Sequence, residues 1–152
     1  MTEHQYWMRI ALQYARIAGE AGNRAVGAII VRDDQVVATG SNRRESGGDP
    51  LGHAETTAIL DRVAKSGDLD FSGCTLYTTL EPCPMCCGAI VVNDIRSIVV
   101  GVMHTPSNRR WGDYTVAKVI EMVDQGTEVI EGVLTEECNA VLEEFDIRLG
   151  RA

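Results

Sequence analysis

Apolar positions along this chain follow two rhythms, and the alternation between them predicts its elements. Tyr6, Ile10, Leu12, Tyr14, Ile17 and Ala18 fall at near-helical spacing behind Thr2 as an N-cap and Glu3 in the first turn, so the chain opens on a helix that residues 19–23 end. Residues 25–31 form a short apolar run, then Arg32-Asp33-Asp34-Gln35, then Val36 to Gly40: two strands joined by a tight polar turn. Residues 41–52, rich in Gly, Ser, Arg and Asp with Asp49-Pro50 among them, read as a loop. Beyond it the pattern predicts a helix over 53–65, a strand over 74–80, and a helix over 83–92 with Pro82 at its first position. A strand over 96–101, a polar loop over 103–112, a helix over 114–124, a strand over 127–132 and a helix over 135–149 capped by Thr135 complete the chain.

Strands alternating with helices imply an α/β fold, a largely parallel sheet covered on both faces. The 152 residues are the length of one ordinary domain and carry no linker, repeat or low-complexity stretch. Residues 1–152 are therefore expected to form a single domain.

Charge changes the picture of partners. Fourteen basic residues face 22 acidic ones, a net charge of −8, and the pI is about 4.8. Such a surface exerts no general pull on phosphate backbones, so nucleic acid is demoted as a partner, though a local basic patch stays open. No apolar run approaches the roughly 20 residues of a membrane span. The first residues, Met1 to Trp7, lack a basic segment followed by an apolar one, so a cytoplasmic location is expected. The five cysteines are an odd number, better read as thiols or metal ligands than as a disulfide framework.

Two short motifs carry the chemistry: His53-Ala54-Glu55 and Pro82-Cys83-Pro84-Met85-Cys86. Alone, each has ordinary readings. His53 could cap a helix, and Cys83 and Cys86 could be a redox pair, half of a structural zinc site, or buried thiols. Together they point elsewhere. Two thiols three residues apart lie on one face at a helix start, where the dipole favours thiolates. With His53 they supply three ligands, and three protein ligands with an open fourth position are the catalytic form of a zinc site. A water in that position is acidified to a pKa of about 7. Glu55, two residues past a ligand, is placed to move protons between that water and a substrate nitrogen. The H-x-E and P-C-x-x-C spacing is the signature of zinc deaminases that act on bases.

With these motifs in place, the chain resembles the cytidine deaminase-like superfamily, in the branch holding guanine deaminases, cytosine deaminases and tRNA adenosine deaminases. Gly40-Ser41-Asn42, Asp49-Pro50, Tyr77-Thr78-Thr79-Leu80-Glu81 and Gly88-Ala89-Ile90 extend the likeness over nearly the whole chain. The resemblance implies a three-layer α/β/α sandwich with a mixed five-stranded sheet whose last two strands are parallel. It further implies one zinc ion held by His53, Cys83 and Cys86, Glu55 as catalytic proton shuttle, and a homodimer. Asn42 matches the position that hydrogen-bonds the substrate's ring edge, or is a plain turn residue. Asp113, with His104-Thr105, looks like guanine deaminase. Trp111 either stacks on the substrate or packs as a lid. Cys87 would point about 100° away from its neighbouring ligand and is read as packing, and Cys74 and Cys138 as ordinary thiols.

The expected activity is zinc-dependent hydrolysis of an exocyclic amino group with release of ammonia. The expected substrate is a small molecule, a free nucleobase such as cytosine or guanine or a related amino-heterocycle, rather than nucleic acid. The acidic last helix, with Glu136, Glu137, Glu143, Glu144 and Asp146, supports that choice. The alternatives are a nucleoside deaminase and a tRNA adenosine deaminase, which Leu80-Glu81-Pro82-Cys83 and Glu131-Gly132-Val133-Leu134 resemble. A purely structural zinc module would need a fourth protein ligand, and a redox pair would need neither His53 nor Glu55.

Overall fold

The computed structural model describes residues 1–150. Helix α1 (Glu3–Glu20) is closed at its start by a reciprocal pair: the Thr2 hydroxyl accepts from the Gln5 amide and the Gln5 side chain accepts from the Thr2 amide. β1 (Gly27–Arg32) and β2 (Gln35–Ser41) form a hairpin whose turn places Asp33 and Asp34 at φ 51° and 55°, the left-handed pair that matches strand twist. α2 (Ala54–Ser66), β3 (Thr75–Leu80), α3 (Pro84–Val92), β4 (Ser97–Val102), α4 (Val116–Val123), β5 (Glu128–Ile130) and α5 (Thr135–Arg148) follow, in the order the hydrophobic pattern predicts.

The sheet order is β2-β1-β3-β4-β5. β1 runs antiparallel to both neighbours, whereas β3–β4 and β4–β5 are parallel. Register assigns the helices to faces. Ala28 pairs with Gly40 and Thr78 on one face, the face α2 covers, because a Cβ on Gly40 would meet the backbone of Ala54 and Ala58. A Cβ on Gly27 would meet α1, on the opposite face, and α5 joins α1 there. Helices α2 and α3 thus lie on one side and α1 and α5 on the other, the expected three layers. Ile29, Ile30, Leu76, Ile98, Val99 and Val100 are fully buried between them, and no helix among the described residues is long and apolar enough to cross a membrane.

Three local expectations are corrected. Pro84, not Pro82, takes the first position of α3, where a missing N–H costs nothing, and Cys83 is its N-cap. Thr135 does not cap α5. Its hydroxyl donates to the Gly101 carbonyl at 2.8 Å, and Leu134 precedes the helix at φ 57°. The fourth helix begins at Val116 rather than Tyr114, because the Thr115 side chain accepts from the Lys118 amide and fixes the start there.

The sheet sets the place of the site. β1 enters at Gly27, while β2, β3 and β4 leave at Ser41, Leu80 and Val102, all at the same edge. Helices α2 and α3 both begin at that edge, which is where α/β sheets place their ligands.

Candidate active site

The chain turns abruptly into helix at both His53 and Cys83. Each is an N-cap with extended backbone, φ −74° and −66°, so its side chain projects beyond the helix start instead of lying along it. The two helices begin side by side. His53 Nδ1 lies 3.4 Å from Cys83 Sγ and 3.5 Å from Cys86 Sγ. Zinc at its usual 2.3 Å from sulfur and 2.0–2.1 Å from nitrogen, in tetrahedral geometry, requires a separation of about 3.6 Å between those atoms. Both nitrogen–sulfur separations match that value, so the donor set suits zinc. Among the described residues these three are the group of His, Cys and acidic side chains whose ligand atoms all lie within 4.8 Å of one another. Cys74, Cys87 and Cys138 are buried free thiols outside it, and among the described residues no fourth His, Cys or acidic side chain joins the group.

Electrostatics bind the three donors into one unit. A hydrogen bond from Cys86, with His53 beside it, lowers the Cys83 thiol to about 4. The hydrogen bond to Cys83, reinforced by burial and by Glu55 nearby, pushes Cys86 up. His53 is raised by its hydrogen bond with Cys83, against the opposing effects of burial and the Arg44 charge.

Glu55 sits one residue into the first turn of α2 beyond Ala54 and is 3% exposed. Burial raises its carboxyl above the usual range, while a hydrogen bond from Thr78 on the adjacent strand pulls the other way. A buried carboxyl raised above its usual range, in the same cleft as the donor set, is chemically suited to accept and release protons.

His53, Glu55 and Cys83 line a cleft of about 360 Å³ with Arg24, Val26, Asn42, Arg44, Trp111 and His104 among its walls. Asn42 stands in the wall with both ends of its amide in use: Nδ2 donates to the Arg24 carbonyl and Oδ1 accepts from the Arg44 amide, each at 3.2 Å. One donor and one lone pair remain for a ligand. Trp111 is also in the wall, edge-on to His104 and Tyr114. Asp113 is not brought to the cleft. It faces solvent and pairs with Lys118.

Glu81 is the functional group that sequence reasoning passed over. Its buried carboxylate accepts from the His104 amide at 2.9 Å and the Val116 amide at 3.0 Å. Burial alone would raise this carboxyl, but the hydrogen bonds from the His104 side chain and the two amides outweigh it and hold it below the usual range. Glu81 thereby ties both ends of the 103–115 loop, which carries Trp111, to the end of β3. An acidic residue directly before the Pro-Cys motif was the available signal.

Comparison with known proteins agrees with this geometry. The family model for the cytidine and deoxycytidylate deaminase zinc-binding region matches residues 1–102. The tRNA-specific adenosine deaminase of Bacillus subtilis (strain 168) is 34% identical over 145 residues, spanning 95% of this chain and 89% of its own length. A solved structure from work on A-to-I editing by tRNA deaminases at the wobble position superposes with a TM-score of 0.75 at 29% identity, covering 90% of this chain and 98% of its own. The guanine deaminase of Bacillus subtilis superposes with a TM-score of 0.65 at 30% identity, over 82% of this chain and 78% of its own.

The match to tRNA-specific enzymes over most of the chain overturns the expectation of a free nucleobase, cytosine or guanine, as substrate and of a protein without nucleic-acid partners. The physical reason is that net charge averages over the whole surface. The acidic residues that dominate it include Glu136, Glu137, Glu143 and Glu144 on α5, on the opposite face of the sheet from the helices that carry the ligands, whereas Arg24, Arg44 and Arg110 line the cleft.

Proposed function

The chain belongs to the cytidine and deoxycytidylate deaminase zinc-binding family and is a zinc-dependent hydrolytic deaminase, and on that premise we propose that its substrate is an adenosine within tRNA, converted to inosine with release of ammonia. The observation that carries the proposal is the breadth of the likeness to a tRNA-specific adenosine deaminase, which runs through both motifs and into the last helix. In this reading residues 1–152 act as one deaminase domain, built around one hydrophobic core.

His53, Cys83 and Cys86 would hold the zinc ion. Bound there, zinc supplies Lewis acidity that makes water a nucleophile near neutral pH. Glu55 takes a proton from the attacking water and delivers it to the ring nitrogen beside the target carbon. The oxygen adds to that carbon, Glu55 relays a further proton to the exocyclic nitrogen, and the carbon–nitrogen bond breaks to free ammonia. Thr78 holds Glu55 in place through its 3.0 Å hydrogen bond. The free donor and lone pair of Asn42 orient the ring edge, and Trp111 supplies an aromatic wall against the base. Such enzymes reach a base only after extruding it from its neighbours, and the cleft of about 360 Å³ would receive the extruded base.

The test is inosine and ammonia production from a tRNA anticodon stem-loop carrying adenosine, run beside free adenosine, guanine and cytosine. Inosine in the stem-loop with no turnover of the free compounds is expected. Turnover of a free base with none of the stem-loop would overturn the proposal.

A further inference from the structure

Net charge conceals a local reversal at the cleft mouth. Five of the chain's twelve arginines, Arg24, Arg43, Arg44, Arg109 and Arg110, fall in the three loops that border the cleft. Arg24 stands between α1 and β1, Arg44 between β2 and α2, and Arg110 between β4 and α4, so three separate segments each bring an exposed guanidinium to the cleft lining.

Elsewhere on the surface most cations are matched by carboxylates, Arg62 being the exception among the described residues. Arg9 pairs with Glu137, Arg16 with Glu144, Arg96 with Asp94, Arg148 with Glu20, and Lys65 with Asp61. Arg24 and Arg110 have no carboxylate partner among the described residues. Arg44 has Glu45 at 2.7 Å, but both side chains are more than half exposed, at 55% and 53%, and a pair so solvated is worth little and yields readily to a stronger anion. Three carboxylates also line the cleft: Glu45 is the partner of Arg44, while Glu81 is turned inward onto His104 and Val116 and Glu55 is buried against Thr78, so Arg24 and Arg110 stay unmatched. Arg110 is also positioned: its guanidinium lies over the Trp111 ring, 5.3 Å from the centroid.

In the tRNA reading the target base enters this cleft of about 360 Å³, so the chain attached to it on either side must cross the rim where these guanidiniums stand. Guanidinium matches phosphate oxygens in a two-point geometry. We propose that Arg24, Arg44 and Arg110 form an anion collar that grips the backbone phosphates flanking the extruded nucleotide. The collar makes a phosphodiester chain, rather than a free base or nucleoside, the ligand this cleft selects. This inference rests on the tRNA reading and deepens it by assigning the contacts that an acidic protein needs to hold a polyanion.

The experiment measures binding apart from chemistry. A fluorescently labelled stem-loop with guanosine at the target position is titrated with the zinc-loaded protein across a series of KCl concentrations. Arg24→Gln, Arg44→Gln and Arg110→Gln are compared with Arg16→Gln, which removes an equal charge from α1 on the opposite face of the sheet from α2. Loss of one phosphate contact to a single-stranded segment lowers the steepness of log K against log salt by about 0.7. Each collar variant is expected to show that drop and a several-fold weaker affinity at physiological salt, while Arg16→Gln keeps the wild-type slope. Unchanged slopes in the collar variants, or an equal drop in Arg16→Gln, would overturn the collar. Ammonia release from the adenosine stem-loop, read in parallel, separates the two proposals. Deamination with unchanged slopes sinks the collar alone. A wild-type protein that binds with collar-dependent slopes yet releases no ammonia upholds the collar and sinks the tRNA deaminase reading.

Discussion

The Thr78 hydroxyl lies 3.0 Å from Glu55 Oε1 and 3.0 Å from the Leu80 carbonyl, with one proton to give to either. When Glu55 is ionised, Thr78 donates to it. When Glu55 is protonated, the carboxyl can donate to Thr78 while Thr78 donates to Leu80. Both protonation states of the shuttle are therefore hydrogen-bonded, so neither is stranded in a buried site.

Thr78→Val keeps the shape and removes this relay. Burial pushes the Glu55 carboxyl up and Thr78 holds it partly down, so the variant carboxyl moves further up. A hydrogen bond to a charged group is worth about 1.5–3 kcal/mol, and 1.4 kcal/mol corresponds to one pH unit. The acidic limb of the kcat/KM profile is expected to shift upward by about one unit, with zinc content unchanged. A limb that stays in place would show that Thr78 does not hold Glu55 during turnover.

Glu55→Gln removes the shuttle outright, and turnover is expected to fall by about 10²–10⁴-fold with zinc retained. The same substitution should stabilise the metal-free protein. A carboxyl raised in the folded state costs nothing below its unfolded value near 4.5, and destabilises the fold increasingly as pH rises through the folded value. Glutamine never ionises, so at pH 7 the metal-free variant is expected to melt higher, by about 2–4 °C per kcal/mol relieved. Thermal melts at pH 4 and pH 7 decide it, and a variant that melts lower at pH 7 would contradict the sign.

The metal centre was legible in the sequence because its three ligands and Glu55 lie in two short motifs whose spacing alone places them at helix starts. Element order was legible for a similar reason, since periodicity is local. What escaped was set by contacts across long separations. Glu81 reaches His104 and Val116, 23 and 35 positions away, and no spacing rule connects them. Asp113 illustrates the opposite failure: likeness of a short segment suggested a place in the pocket, but its side chain faces solvent, paired with Lys118. The substrate was misread because charge was summed along the chain, whereas a ligand meets only the few arginines that the loops gather at one sheet edge.

Gly40 is required for closeness rather than for an unusual backbone angle. A Cβ there would stand 2.1 Å from the Ala54 carbonyl oxygen and 2.6 Å from the Ala58 nitrogen, and these backbone atoms cannot give way. Gly40→Ala must lift the start of α2, which carries His53 and Glu55, off the sheet. Overpacking of this kind costs about 1–3 kcal/mol, and the variant is expected to lose stoichiometric zinc as well as stability. Gly88→Ala on α3, where a Cβ meets nothing within 4 Å, should be neutral or stabilising by up to about 1 kcal/mol. Metal analysis and melting curves of the pair test the argument, and a zinc-loaded Gly40→Ala with wild-type stability would refute it.

Glu81→Gln tests whether the inward carboxylate governs the loop that carries Arg110 and Trp111. Glutamine keeps one acceptor oxygen but must turn an NH₂ toward the His104 amide or the Val116 amide, setting donor against donor in a site where the wild-type side chain is 3% exposed. Losing a charge-assisted hydrogen bond there is worth about 1.5–3 kcal/mol, or a fall in melting temperature of roughly 4–8 °C for 2 kcal/mol in a chain of this size. The loop that Glu81 anchors through His104 and Val116 carries none of the ligands His53, Cys83 and Cys86, so zinc should remain while KM for the stem-loop rises. The pH dependence carries the sign. A carboxyl held below its usual value in the folded state stabilises fully above the unfolded value near 4.5, and that contribution is lost as pH falls through the folded value. The stability gap between wild-type and variant metal-free proteins should therefore be constant from pH 6 to pH 8 and shrink below pH 4.5. A gap that persists undiminished at pH 3.5 would mean that Glu81 acts through shape rather than charge.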